Sequence, residues 1–293
     1  MENKLIQGFK RFSRFVTLSH SVFALPFAGI GFALAIHEQP HLFTWWRLVL
    51  MVLCMVSART AAMSFNRWID RRWDALNQRT QHREIPSGQI SPGAALRITL
   101  LFSLLFIIFS FGLNRLCFYL SPLALCIILG YSYTKRFTSW CHIILGLGLG
   151  LAPIGAYLSV SGSFHSLPLY LSLLVLFWVS GFDILYALQD EAFDRSVHLH
   201  SIPVRLGGSG AILLSRILHA CAGLLIVFIG ITGPFHFLYG WGALCFVALL
   251  IWQHRIISLK TLHRINAAFA ITNGYASLLY GILVCCDLWY YSN

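Results

Sequence analysis

The sequence predicts an all-α fold, a polytopic integral membrane bundle of about nine transmembrane helices. Three observations predict it. The 293 residues are 58% hydrophobic and only 11% charged, against about 25% charged residues in a soluble domain. The apolar residues come in runs long enough to cross a bilayer as helices. The basic residues fall almost entirely into alternate connections between those runs, as a multi-pass chain requires. No linker divides the chain, so residues 1–293 are expected to form a single domain.

The spans are expected at about 16–36, 45–66, 95–113, 116–133, 142–160, 167–189, 210–232, 236–253 and 266–288. The first has no small-residue cleavage pattern before the polar break His37-Glu38-Gln39-Pro40, so it reads as a retained span, not a signal peptide. Most of the 21 basic residues fall on one side. Lys4, Lys10, Arg11 and Arg14 precede span 1, and Arg67, Arg71, Arg72, Arg79, Arg83 and Arg97 follow span 2. Lys135 and Arg136 follow span 4, Arg195 and Arg205 follow span 6, and Arg255, Lys260 and Arg264 follow span 8. The opposite loops hold Arg47 and Arg115. This asymmetry places the N-terminus in the cytoplasm and, after nine spans, the C-terminus outside. The net charge of +11 is thus accounted for by topology, and no nucleic-acid partner is expected. The eight cysteines contain no CxxC pair and sit mostly in apolar runs, where cysteine behaves as a small hydrophobe.

Acidic residues are more localised still. Most of the ten lie in two segments on the basic side: Asp70, Asp74 and Glu84 after span 2, and Asp183, Asp190, Glu191 and Asp194 around the end of span 6. The positive-inside rule does not ask for this, because Asp and Glu contribute little to topology. Asn66, Asp70 and Asp74 are spaced i, i+4, i+8, one face of a helix continuing out of span 2. Arg59 lies about two turns deeper on that face, where an ionisable group marks a functional site by default. Asp183, Asp190 and Asp194 follow at i, i+7, i+11, again one face.

Carboxylates gathered this way repel one another and call for a cation between them. Mg²⁺ suits the set, because it takes oxygen ligands and is usually held by one or two carboxylates plus substrate phosphates. Nearby arginines and lysines would pair with those same phosphates. Carboxylate, Mg²⁺ and arginine together describe a diphosphate site. The plainer reading makes the acids salt-bridge partners of the loop arginines on a solvated face. A third segment, Tyr131-Ser-Tyr133-Thr-Lys135-Arg136, closes span 4 on the same side; read alone it is an aromatic belt with a basic flank.

Together these segments resemble the UbiA superfamily of membrane aromatic prenyltransferases. The first family motif matches Asn66-Arg67-x-x-Asp70-x-x-x-Asp74, followed by Arg79-Thr80-x-x-Arg83-x-x-Pro86-Ser87-Gly88. The second matches Asp183-x-x-Tyr186-Ala187-x-x-Asp190-x-x-x-Asp194, and Tyr131 to Arg136 matches the family's Tyr-x-x-x-Lys-Arg stretch. The run GLGLGLAPIGAY is similar to the stretch that the family carries next along the chain, so the likeness covers about residues 14–210. One position departs: Arg67 stands where the family usually has Asp, which removes one possible metal ligand.

The resemblance implies nine helices and a Mg²⁺-dependent transfer of a polyprenyl group from its diphosphate to an electron-rich aromatic ring. It implies that Asn66, Asp70 and Asp74 bind one Mg²⁺ and that Asp190 and Asp194 bind a second. Lys135, Arg72, Arg79 and Arg83 become diphosphate ligands, with Tyr131 beside the substrate. Arg59 and Asp183 would lie near the reacting carbon or the acceptor, and Arg59 could hold an acceptor carboxylate. His20, which opens span 1, reads as a core or interface histidine. The segment from Ala58 to Thr80 looks like a branch described as 4-hydroxybenzoate polyprenyltransferases and associated with the alternative menaquinone route. The acceptor is then 4-hydroxybenzoate or a dihydroxynaphthoate, and the setting is respiratory quinone synthesis in the plasma (inner) membrane. A secondary transporter is the competing class, because transporters also place charges in interrupted helices. A structural membrane protein leaves Arg59 and Asp183 unexplained.

Overall fold

The structure is a computed structural model that describes residues 15, 23–257, 265 and 269–291. Lys4, Lys10, Arg11, Arg14, His20, Lys260 and Arg264, which figure in the sequence reading, lie outside the described residues. Every regular element among the described residues is helical. The order is α1 (Leu25–Glu38), α2 (Trp45–Ile69), α3 (Arg71–Leu76), α4 (Pro92–Leu113), α5 (Arg115–Thr134) and α6 (Cys141–Ser161). Then come α7 (Ser166–Ala187), α8 (Glu191–Ser196), α9 (Ile202–Thr232), α10 (Phe237–Ile256) and α11 (Gly274–Tyr290). Among the described residues, eight helical stretches are long and apolar enough to cross a membrane, and Leu25–Glu38 falls in the first expected span.

The boundaries follow local chemistry. Ser91 accepts from the Ala94 amide and precedes Pro92, starting α4. Asn114 accepts from the Cys117 amide at 2.9 Å and starts α5. Ser201 and Pro203 start α9 the same way. That helix is broken at Gly207 (φ 70°), a left-handed conformation that only glycine adopts freely. The expected span start at 210 is thus the segment beyond this break. The N-terminus of α10 is capped from afar: the fully buried Asp287 accepts from the amides of His236, at 2.7 Å, and Leu238, at 2.9 Å.

The core lies where α1 packs against α6 and α11 while α6 packs against α7 and α7 against α9. Trp178 of α7 is fully buried, its ring 5.3 Å from Phe27 and 5.4 Å from Phe246, and its indole N–H donates to Asn273. On the other side of the molecule α2 packs against α4 and α5. Leu100, Leu104 and Phe111 face outward there, as Leu224 and Ile231 do on α9. In lipid such outward apolar faces are satisfied, so the bundle is an integral membrane protein.

The glycine run of α6 places the site. A β-carbon at Gly146 would stand 2.6 Å from the Leu176 carbonyl, and one at Gly150 would stand 2.8 Å from that of Ser172. Small residues at this four-residue spacing let two helices approach closely. That approach brings the start of α6 beside the end of α7, where the second aspartate segment begins.

Candidate active site

The first aspartate segment does not continue as one straight helix. Helix α2 ends at Ile69, and Asp70 (φ −90°, ψ 2°) is at once its C-cap and the residue preceding α3. The i to i+4 bonds nevertheless run through the break, from the Asp70 amide to Asn66 O and from the Asp74 amide to Asp70 O. The expected shared face therefore survives. The second segment is broken too: α7 stops at Ala187, Leu188–Asp190 forms one tight turn, and α8 follows. Asn66, Asp70 and Asp74 and Asp183, Asp190 and Asp194 all line one cleft of about 250 Å³. Its walls come from the ends of α2, α5 and α7, the start of α6, and the connection after α3.

The cation expected between the carboxylates is already supplied by the chain. Arg79 grips Asp190 with two bonds, Nε to Oδ1 at 3.0 Å and Nη2 to Oδ2 at 2.6 Å, and Asn77 adds a third at 3.1 Å. Lys135 meets Asp194 at 2.8 Å, Arg83 meets Asp74 at 2.7 Å, and Arg136 meets Asp70 at 3.4 Å. The salt-bridge reading of the acids is thus correct as to pairing. The setting is not a solvated face, however, because Asp74, Asp190 and Asp194 are buried and line the cleft. Arg136 stacks on Trp73 and Tyr133 at 4.5 and 4.6 Å from their ring centres, and Arg79 lies over Tyr186. Burial and the neighbouring Asp74 carboxylate push Asp70 up to about 6. Burial works against the Lys135 ammonium, but Asp194 more than reverses this and holds Lys135 above its ordinary range.

These residues fit Mg²⁺ of one particular kind. Among the described residues, no three or more His, Cys, Asp or Glu side chains gather closely enough to hold an ion by themselves. The donors are hard carboxylate and amide oxygens, and the buried Asp74 Oδ2 has no hydrogen-bond partner. That set suits a cation shared with an anionic ligand better than an all-protein cage. Arg67 is buried within electrostatic reach of Asp74 and Glu84.

Below the cleft lies an apolar cavity of about 380 Å³, lined by residues such as Met55, Phe106, Leu120, Ile127 and Leu149. Tyr131 and Leu145 line both spaces and mark where they meet. Arg59 lines the apolar cavity, and its buried Nε has no hydrogen-bond partner. Asp183 meets the buried His142, Nδ1 to Oδ2, at 2.6 Å.

Two placements differ from the sequence reading. Arg72 is exposed and outside the lining of the cleft, because it lies two residues from both Asp70 and Asp74 and so on the opposite face of the helical turn. Arg136, read from sequence as a basic flank, does line the cleft. His142 and Asn77 were missed. His142 had a signal, an ionisable residue opening a span, whereas Asn77 had none beyond its place in a turn.

A helical membrane bundle whose acidic and basic cleft opens into an apolar chamber has the form of a membrane enzyme's active site. The model of the UbiA prenyltransferase family matches residues 24–279, and the chain belongs to that family. It is therefore a prenyltransferase. It is 28% identical over 232 residues to the 4-hydroxybenzoate octaprenyltransferase of Photobacterium profundum, covering 79% of this chain and 80% of that one. The enzyme of the same description from Salmonella paratyphi B is 26% identical over 249 residues, covering 84% of each chain. Among solved structures, the apo form of a UbiA homolog from Aeropyrum pernix K1 superposes with a TM-score of 0.83 at 30% identity, covering 92% of this chain and 98% of that one. A UbiA homolog from Archaeoglobus fulgidus, bound to DMAPP and Mg²⁺, shares the fold with a TM-score of 0.70 at 20% identity, covering 93% of this chain and 99% of that one.

Proposed function

We propose that this enzyme transfers a polyprenyl group from polyprenyl diphosphate to the ring of a carboxylated phenol, 4-hydroxybenzoate or a dihydroxynaphthoate, in respiratory quinone synthesis. The observation that carries this is the junction of two unlike spaces at Tyr131 and Leu145. One is charged and suits a diphosphate; the other is apolar and suits a prenyl tail. The descriptions of the curated relatives and of the magnesium-bound homolog support the same reading.

In this mechanism Asn66, Asp70 and Asp74, with Asp190 and Asp194, hold Mg²⁺ together with the diphosphate. Bound there, Mg²⁺ supplies positive charge to the departing diphosphate. Arg79, Arg83 and Lys135 exchange their carboxylate partners for phosphate oxygens, and Arg136 takes the place expected of Arg72. Tyr131 stands beside the allylic carbon at the mouth of the cavity. The bond from that carbon to oxygen breaks, and its electron pair leaves with the diphosphate. A ring carbon then bonds to the allylic carbon. The same ring carbon loses its proton to Asp183, and the C–H pair restores aromaticity. Arg59 pairs with the acceptor carboxylate, since an unpartnered guanidinium in an apolar chamber calls for an anion. The whole of residues 1–293 acts as one domain. The cleft and the N-terminus face the cytoplasm and the C-terminus lies outside, in the plasma (inner) membrane. Both aspartate segments open to one cleft, which suits a cytosolic diphosphate better than the alternating access of a transporter.

The test incubates membranes carrying the protein with a polyprenyl diphosphate and either acceptor, with Mg²⁺ or with EDTA. A Mg²⁺-dependent alkylated product, read by mass spectrometry, is expected with one acceptor. No product with either acceptor, from folded protein, overturns the reading.

A further inference from the structure

Four of the motif aspartates meet a lysine or an arginine, but Asp183 meets an imidazole. The His142 ring is only 4% exposed, whereas the Asp183 side chain keeps 25% of its surface open to the cleft. The first amide of α9, that of Ile202, points at His142 Nε2 at 3.3 Å. An amide N–H can only donate, so Nε2 is the accepting nitrogen and the ring proton sits on Nδ1. Nδ1–H is then donated to Asp183 Oδ2 at 2.6 Å. One buried ring thus ties α6, α7 and α9 together and fixes Oδ2 of Asp183, a residue that lines the cleft. Leu145, which lines the junction with the apolar cavity, lies three residues after His142 and so on the same side of α6.

We infer that His142 is a positioning residue for proton removal: through Nδ1–H it holds Asp183 so that Oδ1 receives the proton leaving the alkylated ring carbon. This rests on the prenyl transfer and on the role of Asp183 proposed above. A carboxylate tied to Lys or Arg is a poorer base, because a full positive charge stabilises its ionised form. A neutral imidazole orients the carboxylate without adding that charge. The proton passes from ring carbon to Oδ1, its electron pair stays in the ring, and His142 neither gains nor loses a proton.

The experiment compares wild type, His142→Leu and His142→Asn in membranes, using the acceptor that wild type alkylates and the same acceptor deuterated at the alkylated carbon. His142→Leu is expected to lose about 100-fold in kcat, the scale of one lost general-base function. Its KM for prenyl diphosphate should stay within about twofold of wild type. A primary deuterium effect absent in wild type should appear, because proton removal becomes the slow step. His142→Asn keeps a side-chain N–H where Nδ1 stood, so its kcat should return to within about tenfold of wild type. Wild-type kcat in His142→Leu overturns the inference. So does a loss of kcat with no deuterium effect, which marks a structural role. Should His142→Leu fail to fold, His142→Asn decides alone, and turnover more than about 100-fold below wild type overturns the inference. A wild type that makes no product overturns the parent reading instead, so the two failures are distinguishable.

Discussion

The two aspartate segments look alike in sequence and differ in the fold. In the second, Asp190 and Asp194 are each gripped by a basic side chain at 2.6–2.8 Å, and Asn77 adds a further bond to Asp190. In the first, Arg83 grips Asp74 at 2.7 Å, while Asp70 meets Arg136 only at 3.4 Å and its side chain is 30% exposed. Asp74, Asp190 and Asp194 are thus neutralised from within, and Asp70 is held more open. The physical reason is reach. Arg79 and Lys135 come from the connection after α3 and from the end of α5, and both lean over the turn that ends α7. Near the first segment, Arg136 also stacks on Trp73 and Tyr133, so its charge is shared among several partners. Asp70 is therefore ready for a cation, whereas Asp74, Asp190 and Asp194 must release their own basic partners before the diphosphate enters.

The largest effect that would break this comparison comes from the ligands themselves. Asp70→Asn and Asp190→Asn should each lower turnover by about 1,000-fold or more while the protein still inserts and folds. Each removes a metal ligand and no core volume; retained product formation in both variants would remove the diphosphate assignment. Next is the cost of exposing the contrast in the empty protein. Lys135→Met leaves the 1% exposed Asp194 without its cation. It should destabilise the protein by about 2 kcal/mol, below the range for a fully buried pair because Lys135 is partly exposed. Arg136→Met beside the more open Asp70 should cost about 1 kcal/mol or less, a difference that thermal unfolding in detergent can read.

The pH dependence sharpens the same contrast. Asp70 is pushed up to about 6, so it takes up a proton as pH falls through that value and then attracts a cation less. Mg²⁺-dependent binding of a prenyl diphosphate should weaken by about tenfold between pH 7 and pH 5 through this group, and Asp70→Asn should remove that dependence. In the empty protein the sign is opposite. A raised carboxylate pKa stabilises the folded state below its unfolded value, and that contribution is lost as pH rises through about 6. Arg59→Ala tests the apolar chamber. It should raise KM for the acceptor about tenfold and leave that for prenyl diphosphate unchanged, since one charged hydrogen bond is lost. The smallest effect belongs to Arg72→Ala. An exposed side chain outside the cleft should change turnover by less than about twofold.

Much of this was legible in the chain. The helices lie close to where the apolar runs place them, because a span is set by local hydrophobicity and by backbone bonds within a few residues. The shared face of Asn66, Asp70 and Asp74 was legible too, since i to i+4 spacing is a local fact, and it persists through the break at Asp70. The break at Asp70 itself was not legible.

What the sequence by itself determined is a polytopic helical bundle and the residue types at its charged end: six cleft-lining Asn and Asp positions in two segments, with the basic residues that accompany them. What only the tertiary structure decided is who meets whom. The pairs Arg79–Asp190 and His142–Asp183 lie 111 and 41 residues apart in the chain. Their contact depends on the close approach of α6 to α7 at Gly146 and Gly150 and on where α9 begins. Spacing along one helix follows from backbone geometry. Pairing between helices follows from packing, and packing alone gave Asp183 an imidazole where its neighbours received arginine and lysine.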